Sequence, residues 1–345
     1  MAKILVTGGA GYIGSITAYH LLRRGFEVAV LDDLSRGHRD NVAPERLHIA
    51  RLQDTEAVTK ALAGVDAVVH FAAYIAVGES VRQPELYYAN NVGGTLSLLE
   101  AMARAGVDKL VFSSTAAVYG NPERVPIPED ARFDPVSPYG ESKAMVEKIL
   151  ASLDHYHVVN GSAFRYVSLR YFNACGAEPD AGLGERHEPE THLIPLLLRA
   201  AASSQPIHIF GDDYPTPDGT CTRDYIHVSD LAAAHVAALD HLLAGGASRA
   251  FNVGTGHGYT VMEVLRATEE VTGMKVPYVV APRREGDAAE LVADASRLHK
   301  TLHWQPERSD LHAILRDAWD FFRTRSVHAG NAAEKHRHRG ADHKR

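Results

Sequence analysis

Short apolar runs and helical patterns alternate along the first half of the chain. Lys3–Thr7 and Glu27–Leu31 read as strands, separated by a helical run through Leu22. Ala67–Ala73 is a third strand, Asn91–Arg104 a helix, Lys109–Ser114 a strand, Tyr139–Leu150 a helix and Ser162–Tyr171 a further strand. Such alternation predicts right-handed crossovers and a mostly parallel sheet with helices on both faces. Ligands then collect at the carboxyl ends of the strands. After Asn173 the pattern weakens. Cys175–His192 is rich in Gly, Glu, Pro and His and reads as a loop over a second ligand. Ile194–Ala202 reads as a helix, Pro206–Phe210 as a short strand and Gly211–Gly219 as another loop. Asp224–Val228 and the helical Asp230–Leu239 read as a return to the first domain, followed by renewed alternation near Ala250–Val253 and Tyr259–Thr272.

The first strand runs into Gly8-Gly-Ala-Gly11-Tyr-Ile-Gly14, and the second ends at Asp32 and Asp33. Gly8 suits a tight turn, Gly11 close approach of a pyrophosphate and Gly14 close packing of helix on strand. Phosphate would lie at the helix N-terminus, where unpaired N–H groups face it. With the strand before it, the helix after it and the acid beyond, this is a dinucleotide site. The fold class is therefore α/β, a Rossmann-type doubly wound parallel sheet with a smaller, interleaved C-terminal substrate domain. The expected division is 1–174 for the NAD-binding domain with a returning segment near 224–254, and 175–223 with 255–325 for the substrate domain. Asp32 accepts from ribose hydroxyls and repels a 2′-phosphate, which favours NAD, while Arg36 and Arg39 keep NADP open.

Composition narrows the setting. The 345 residues are 45% hydrophobic, enough for a large core and two domains. The two cysteines, Cys175 and Cys221, make no disulfide framework and suit a reducing compartment. The strand at Lys3 leaves no room for a signal peptide, and the charge-free run that begins at Ala67 is shorter than the roughly 20 residues that span a bilayer. A cytoplasmic protein without membrane partners is expected. The net charge of -7 gives no general attraction to nucleic acid. Residues 330–345 are basic and polar and are expected to be disordered. Contact with an anionic partner and incidental metal binding by His336, His338 and His343 are the alternatives there; no dedicated metal site is assigned.

The chemistry lies in Ser137-Pro-Tyr139-Gly-Glu-Ser-Lys143. Tyr139 and Lys143 are one helical turn apart on one face. A tyrosine of pKa near 10 needs about 3 units of help, or about 4 kcal/mol, to act as a base. Lys143 is the suitable cation, and a positive nicotinamide would add to it. Ser113-Ser-Thr115 brings hydroxyls just beyond a strand, where Thr115 can hydrogen-bond a substrate hydroxyl while Tyr139 takes its proton.

These motifs resemble the extended short-chain dehydrogenases/reductases and, more narrowly, the UDP-glucose/UDP-galactose 4-epimerases. The resemblance runs from about Lys3 to Phe321 and includes Ala76–Ser80, Tyr87–Thr95, Leu169–Asn173, Arg223–Val228 and Arg283–Asp287. It implies reversible interconversion of UDP-galactose and UDP-glucose with catalytic Thr115, Tyr139 and Lys143. Oxidation at C4 by NAD, rotation of the 4-keto sugar and hydride return to its opposite face complete the implied cycle. Cofactor contacts are implied at Gly8, Gly11, Tyr12, Ile13, Gly14, Asp32, Phe71, Ala72, Ala73, Asn90, Tyr139, Lys143 and Phe172. The UDP-hexose would meet Thr115, Asn173, Arg223, Arg284, Asp287 and Leu291, with the arginines at the phosphates and Asp287 at the uridine ribose. Leu291 borders the sugar 2-substituent and leaves N-acetylated hexoses open. A homodimer is also implied.

Three departures stand out. Leu52 occupies the place of the family's adenine-binding acid, with Asp54 shifted by two; Ile75 stands where some members have lysine; Thr115 replaces a frequent serine. The related dehydratases carry Asp-Glu after the threonine and the decarboxylases a glutamate at the second of these positions. Ala116 and Ala117 provide no such acid or base. A non-catalytic NAD-responsive regulator is the reading from another class, disfavoured because Tyr139 and Lys143 are both present.

Overall fold

The computed structural model describes residues 1–284 and 286–325. The basic segment at 330–345 lies outside the described residues. Seven strands form the main sheet: β1 (Lys3–Thr7), β2 (Glu27–Asp32), β3 (Leu47–Ile49), β4 (Ala67–His70), β5 (Lys109–Thr115), β6 (Arg165–Tyr171) and the late strand Arg249–Val253. They lie in the order Arg249–Val253, β6, β5, β4, β1, β2, β3, and every pairing is parallel. The strand order reverses between β1 and β4. Crossovers leave opposite faces of the sheet there, so a crevice opens beyond Thr7 and His70.

Both faces are covered, which explains why these strands read as continuous apolar runs. Ile4, Val6, Val30, Val69 and Val167 pack with Leu21, Leu231, Leu239 and Leu242 on one face. Leu5, Leu31, Val68, Leu110 and Phe112 pack with Leu62, Leu98, Met102 and Leu150 on the other. Each such fully buried side chain contributes roughly 1.5–3 kcal/mol.

The smaller C-terminal part carries mixed sheets. Thr222–His227 pairs in parallel with Asn173–Cys175 and Glu290–Leu291 and antiparallel with Gly258–Thr260. Ile207–Phe210 pairs with Tyr278–Ala281. A separate core of Ile194, Leu197, Leu198, Val264, Leu265, Ile314, Leu315 and Trp319 supports these sheets. The Val228–Leu243 helix, in contrast, sends Leu231, Ala234, Leu239 and Leu242 into the core of the main sheet.

Several boundaries differ from the sequence reading. The 175–192 stretch is not all loop: Ala177–Glu178 and Leu183–Gly184 form a small hairpin around a tight turn. The helix expected from Asn91 begins at Gly94, preceded by a π-helical segment Tyr88–Gly93. The strand expected to reach Ala73 ends at His70, because the chain turns into the crevice there. Of the weakly patterned β3, only Leu47 is partly buried.

Candidate functional site

The glycine-rich turn sits where the switch point requires it. Gly8 has φ +70 and donates its N–H to the Leu31 carbonyl at 2.8 Å. A Cβ on Gly8 would meet the Ala72 backbone nitrogen at 2.6 Å, so only glycine brings this turn against the end of β4. At Gly14 a Cβ would run into the Gly8 carbonyl, whereas at Gly11 it would meet only that same carbonyl, at 3.2 Å. Gly14 thus serves helix packing, and Gly11 borders open space for a phosphate. The Tyr12–Arg23 helix starts here with no side-chain cap on its first N–H groups.

Asp32 is buried at the end of β2 and accepts from the backbone N–H of Ala10 at 3.0 Å and of Leu34 at 2.9 Å. Burial raises its pKa, and these two bonds oppose the rise. Gly37, which the sequence reading passed over, abuts this carboxylate; a Cβ there would lie 2.8 Å from Asp32 Oδ1. Arg36, kept above as a partner for a 2′-phosphate, gives Nη2 to both Glu79 oxygens at 2.8 and 3.1 Å and stacks over Tyr74. Asp54 caps the Thr55–Ala61 helix by accepting from Ala57 N–H, while Leu52 is buried in the core.

Tyr139 begins the Pro138–Val159 helix, capped by Ser137, which accepts from Gly140 N–H at 3.2 Å. Gly140 packs so closely that a Cβ would come within 2.6 Å of the Ala117 carbonyl. That contact sets the start of the Tyr139 helix against the turn after β5, and Thr115 there acts to lower the phenol pKa. The Thr115 oxygen also accepts from Ala117 N–H at 3.2 Å. Asn91 joins three parts of the site: its side-chain oxygen accepts from Tyr74 N–H, and its amide donates to the Tyr74 carbonyl and to Ser142 Oγ. It lies on the π-helical segment, a local distortion frequent at functional sites.

Lys143 is buried, donates to the Ser113 carbonyl at 2.8 Å and sits 4.8 Å over the Phe112 ring. Burial lowers its pKa to about 7, with Glu147 one turn further pulling it back up. Burial likewise pushes Tyr139 up to about 12, with the Thr115 bond as the lowering influence. In both groups burial is the largest influence and works against the charged form. Among the described residues the lysine has one hydrogen-bond acceptor, which leaves ammonium donors for the hydroxyls of a nicotinamide ribose. With the glycine cradle and Asp32, these donors fit NAD. His70 is held neutral, with a pKa lowered to about 3 by burial and then by Lys143. Its ring bridges Thr7 Oγ1 at 2.6 Å and Thr95 Oγ1 at 2.9 Å, tying β1 and β4 to the next helix.

The other expected contacts divide into groups. Phe71, Ala72 and Ala73 follow β4 beside Gly8. Tyr12 directs its hydroxyl to the Gly176 carbonyl at 2.7 Å, so its side chain clamps two segments and leaves the helix N-terminus to its backbone. Ile13 packs into the core. Asn90 donates to Asn91 Oδ1, and Phe172 is buried beside Ala116 and Leu291. Asn173 is exposed at the start of its strand. Arg223 and Asp287 form an ion pair at 2.6 Å, and Arg223 is in register with Leu291 across the sheet. Arg284 stacks over Phe210 with its guanidinium 3.9 Å from the ring centroid. A separate open groove of about 530 Å³ involves His20, Arg24, Asp240 and Trp304 and shares no residue with this site.

Residues 4–254 match the model of the NAD dependent epimerase/dehydratase family. A UDP-glucose 4-epimerase of Lactobacillus helveticus is 47% identical over 326 residues, covering 93% of this chain and 97% of the relative. A UDP-glucose 4-epimerase of Brucella ovis, solved in complex with NAD, is 45% identical with a TM-score of 0.89, covering 93% of this chain and 98% of the other. One from Stenotrophomonas maltophila, solved with bound NAD and formylated UDP-arabinopyranose, is 40% identical with a TM-score of 0.90, covering 95% and 99%.

Proposed function

The chain belongs to the NAD dependent epimerase/dehydratase family, and we propose that its site is the active site of a UDP-glucose 4-epimerase in which Thr115, Tyr139 and Lys143 do the chemistry. The reaction is the reversible interconversion of UDP-galactose and UDP-glucose through oxidation and reduction at C4. The observation that carries the residue assignment is the burial of Tyr139 and Lys143 one helical turn apart, with Lys143 held to the Ser113 carbonyl at the end of the strand that carries Thr115.

NAD held by the glycine turn, Asp32 and Lys143 would supply the hydride acceptor and donor for sugar C4. Thr115 orients the 4-hydroxyl, and Tyr139 takes its proton and later gives it back. Lys143 steadies the phenolate as it forms; an ammonium and a phenolate created together in a buried site relieve each other's desolvation. Gly8, Gly11 and Gly14 shape the pyrophosphate cradle, and Asp32 accepts from the adenosine ribose. Asn90, Phe172 and residues 71–73 complete the cofactor wall.

Arg223 and Arg284 face the UDP phosphates, with Asp287 at the uridine ribose and Asn173 at the sugar. In this reading Arg223 exchanges part of its bond with Asp287 for phosphate oxygens. A firmly held nucleotide lets the 4-keto hexose turn without escaping. Leu291 borders the sugar 2-substituent, and direct competition between UDP-galactose and its N-acetylated analogue measures which hexoses are taken. The family resemblance supports a homodimer in the cytoplasm. No helix among the described residues is long and apolar enough to cross a membrane.

The test is incubation of the protein with UDP-galactose, following UDP-glucose formation together with the absorbance of reduced nicotinamide. Product without accumulating reduced cofactor is expected. A protein that holds NAD yet forms no UDP-glucose would favour the regulatory reading instead.

A further inference from the structure

The segment read from sequence as a loop contains Glu185-x-His187-x-x-Glu190-x-His192. Each of these side chains offers one ligand atom, and the four atoms lie within 4.8 Å of one another. We propose that Glu185, His187, Glu190 and His192 form a binding site for one divalent transition-metal ion, of which zinc is the best chemical match, and that the ion fastens this segment over the cofactor loop.

Two imidazoles and two carboxylates are the mixed nitrogen and oxygen set that suits zinc and its first-row neighbours, not calcium or magnesium. Bonds of about 2.0–2.2 Å in a tetrahedron put donors roughly 3.3–3.5 Å apart, so movements of about 1 Å close the cage. The donors already converge. One oxygen of Glu185 faces Nδ1 of His187 at 3.0 Å and also Nδ1 of His192. The Glu185 and Glu190 side chains are 6% and 3% exposed. Glu190 is fixed before any ion arrives, because one of its oxygens accepts from the backbone N–H of Thr191 and of His192. Such outer bonds hold a ligand in its binding orientation. Without metal the same groups close into ion pairs; an ion replaces the ring protons at the point where the two imidazoles meet Glu185.

The placement gives the ion a role. His187 packs edge-on against Tyr12, with ring centroids 6.3 Å apart, at the start of the helix that follows the glycine turn. The Arg186 carbonyl accepts from His38 Nε2 at 2.9 Å, and the Arg186 guanidinium binds both Asp40 oxygens. His38 in turn donates its backbone N–H to the Ala10 carbonyl. The cage therefore backs onto the chain that carries Gly8–Gly14 and Asp32, and closing it resists opening of that wall. This retention role rests on the NAD reading; the metal site does not.

The full chain is stripped with chelator and titrated with zinc chloride against a chromophoric competitor, beside the double variant H187Q/H192Q. Both proteins carry the same tail histidines, so the difference isolates the cage. We expect about one additional zinc per wild-type chain, at least about tenfold weaker binding in E190Q, and a zinc-dependent rise in melting temperature for the wild type alone. Equal zinc uptake by wild type and double variant, both folded by circular dichroism, overturns the site. If the double variant does not fold, E190Q and E185Q carry the same comparison, and zinc affinity unchanged in both overturns it. Zinc binding that leaves the rate of NAD loss unchanged removes the retention role and keeps the site.

Discussion

Glu147 lies one helical turn beyond Lys143 and gives both its carboxylate oxygens to Arg170, at 2.6 to 3.0 Å, with both side chains less than a tenth exposed. Ser114 donates to the same carboxylate, and Arg170 continues to Tyr119 and the Glu129 carbonyl. The network locks the catalytic helix to β5 and β6. It also keeps a negative charge near Lys143 without letting that charge bond the ammonium directly.

Removing one partner strands the other. E147A or R170A is expected to destabilise the fold by about 3–5 kcal/mol, whereas a double replacement by methionine recovers much of that loss. Urea unfolding of the single and double variants measures the cycle. Equal losses in the single and double variants would show that the pair, not the stranded charge, carries the stability.

Y139F is expected to lower kcat by about 10²–10⁴-fold while leaving the fold and NAD content intact, because the phenol ring packs without its hydroxyl and only the proton transfer is lost. T115V should act in the same direction more weakly, since Thr115 orients the hydroxyl without taking its proton. Steady-state kinetics with cofactor content measured on each preparation checks both. Undiminished sugar inversion in Y139F would remove Tyr139 from the chemistry.

Much of this arrangement was legible in the sequence because it depends on local spacing. The glycine turn, Asp32 at the end of its strand and Tyr139 one turn from Lys143 are each specified within a few residues. What escaped depends on chain segments far apart. Asn91 matters because Tyr74 and Ser142 converge on it, and Gly37 because Asp32 folds back against it. The opposed pKa shifts of Tyr139 and Lys143 come from burial, which the motif does not encode. The Glu185–His192 spacing was visible, but nothing in one dimension showed its four donors turning toward one point. Asp54, shifted by two from the position of the family's acid, is a helix cap, a role its position before Thr55 permits.

Lys143 imposes a stability cost that can be read against pH. Its folded pKa is lowered to about 7 from 10.5. Below pH 7 both states carry the proton and the full cost is present; between 7 and 10.5 the unfolded chain alone holds it, so stability rises with pH. K143M is therefore expected to be inactive yet more stable than the wild type by a few kcal/mol at pH 6, with the gap closing toward pH 10. Denaturation of both proteins across that range tests the sign. A K143M protein less stable at pH 6 than the wild type would refute it.

His235 gives a slope of the same sign at acid pH. It is fully buried, its Nδ1 meets the Leu231 carbonyl at 2.9 Å, and its Nε2 has no partner. Burial lowers its pKa to about 4, and His70 is lowered to about 3. Between pH 6.5 and these values the unfolded chain binds protons that the folded one does not, so stability falls as pH drops, by up to about 1.4 kcal/mol per pH unit for each histidine. H235L removes one such proton and the unsatisfied nitrogen together, filling the space between Phe71 and Tyr171 with an apolar side chain. The variant should match or exceed wild-type stability at pH 7 and lose it less steeply between pH 6.5 and 4.5. The slope difference between the two proteins, from urea midpoints at successive pH values, isolates this group from the carboxylates that titrate lower. Identical slopes would mean that His235 takes up its proton within the folded protein, against the burial that surrounds it.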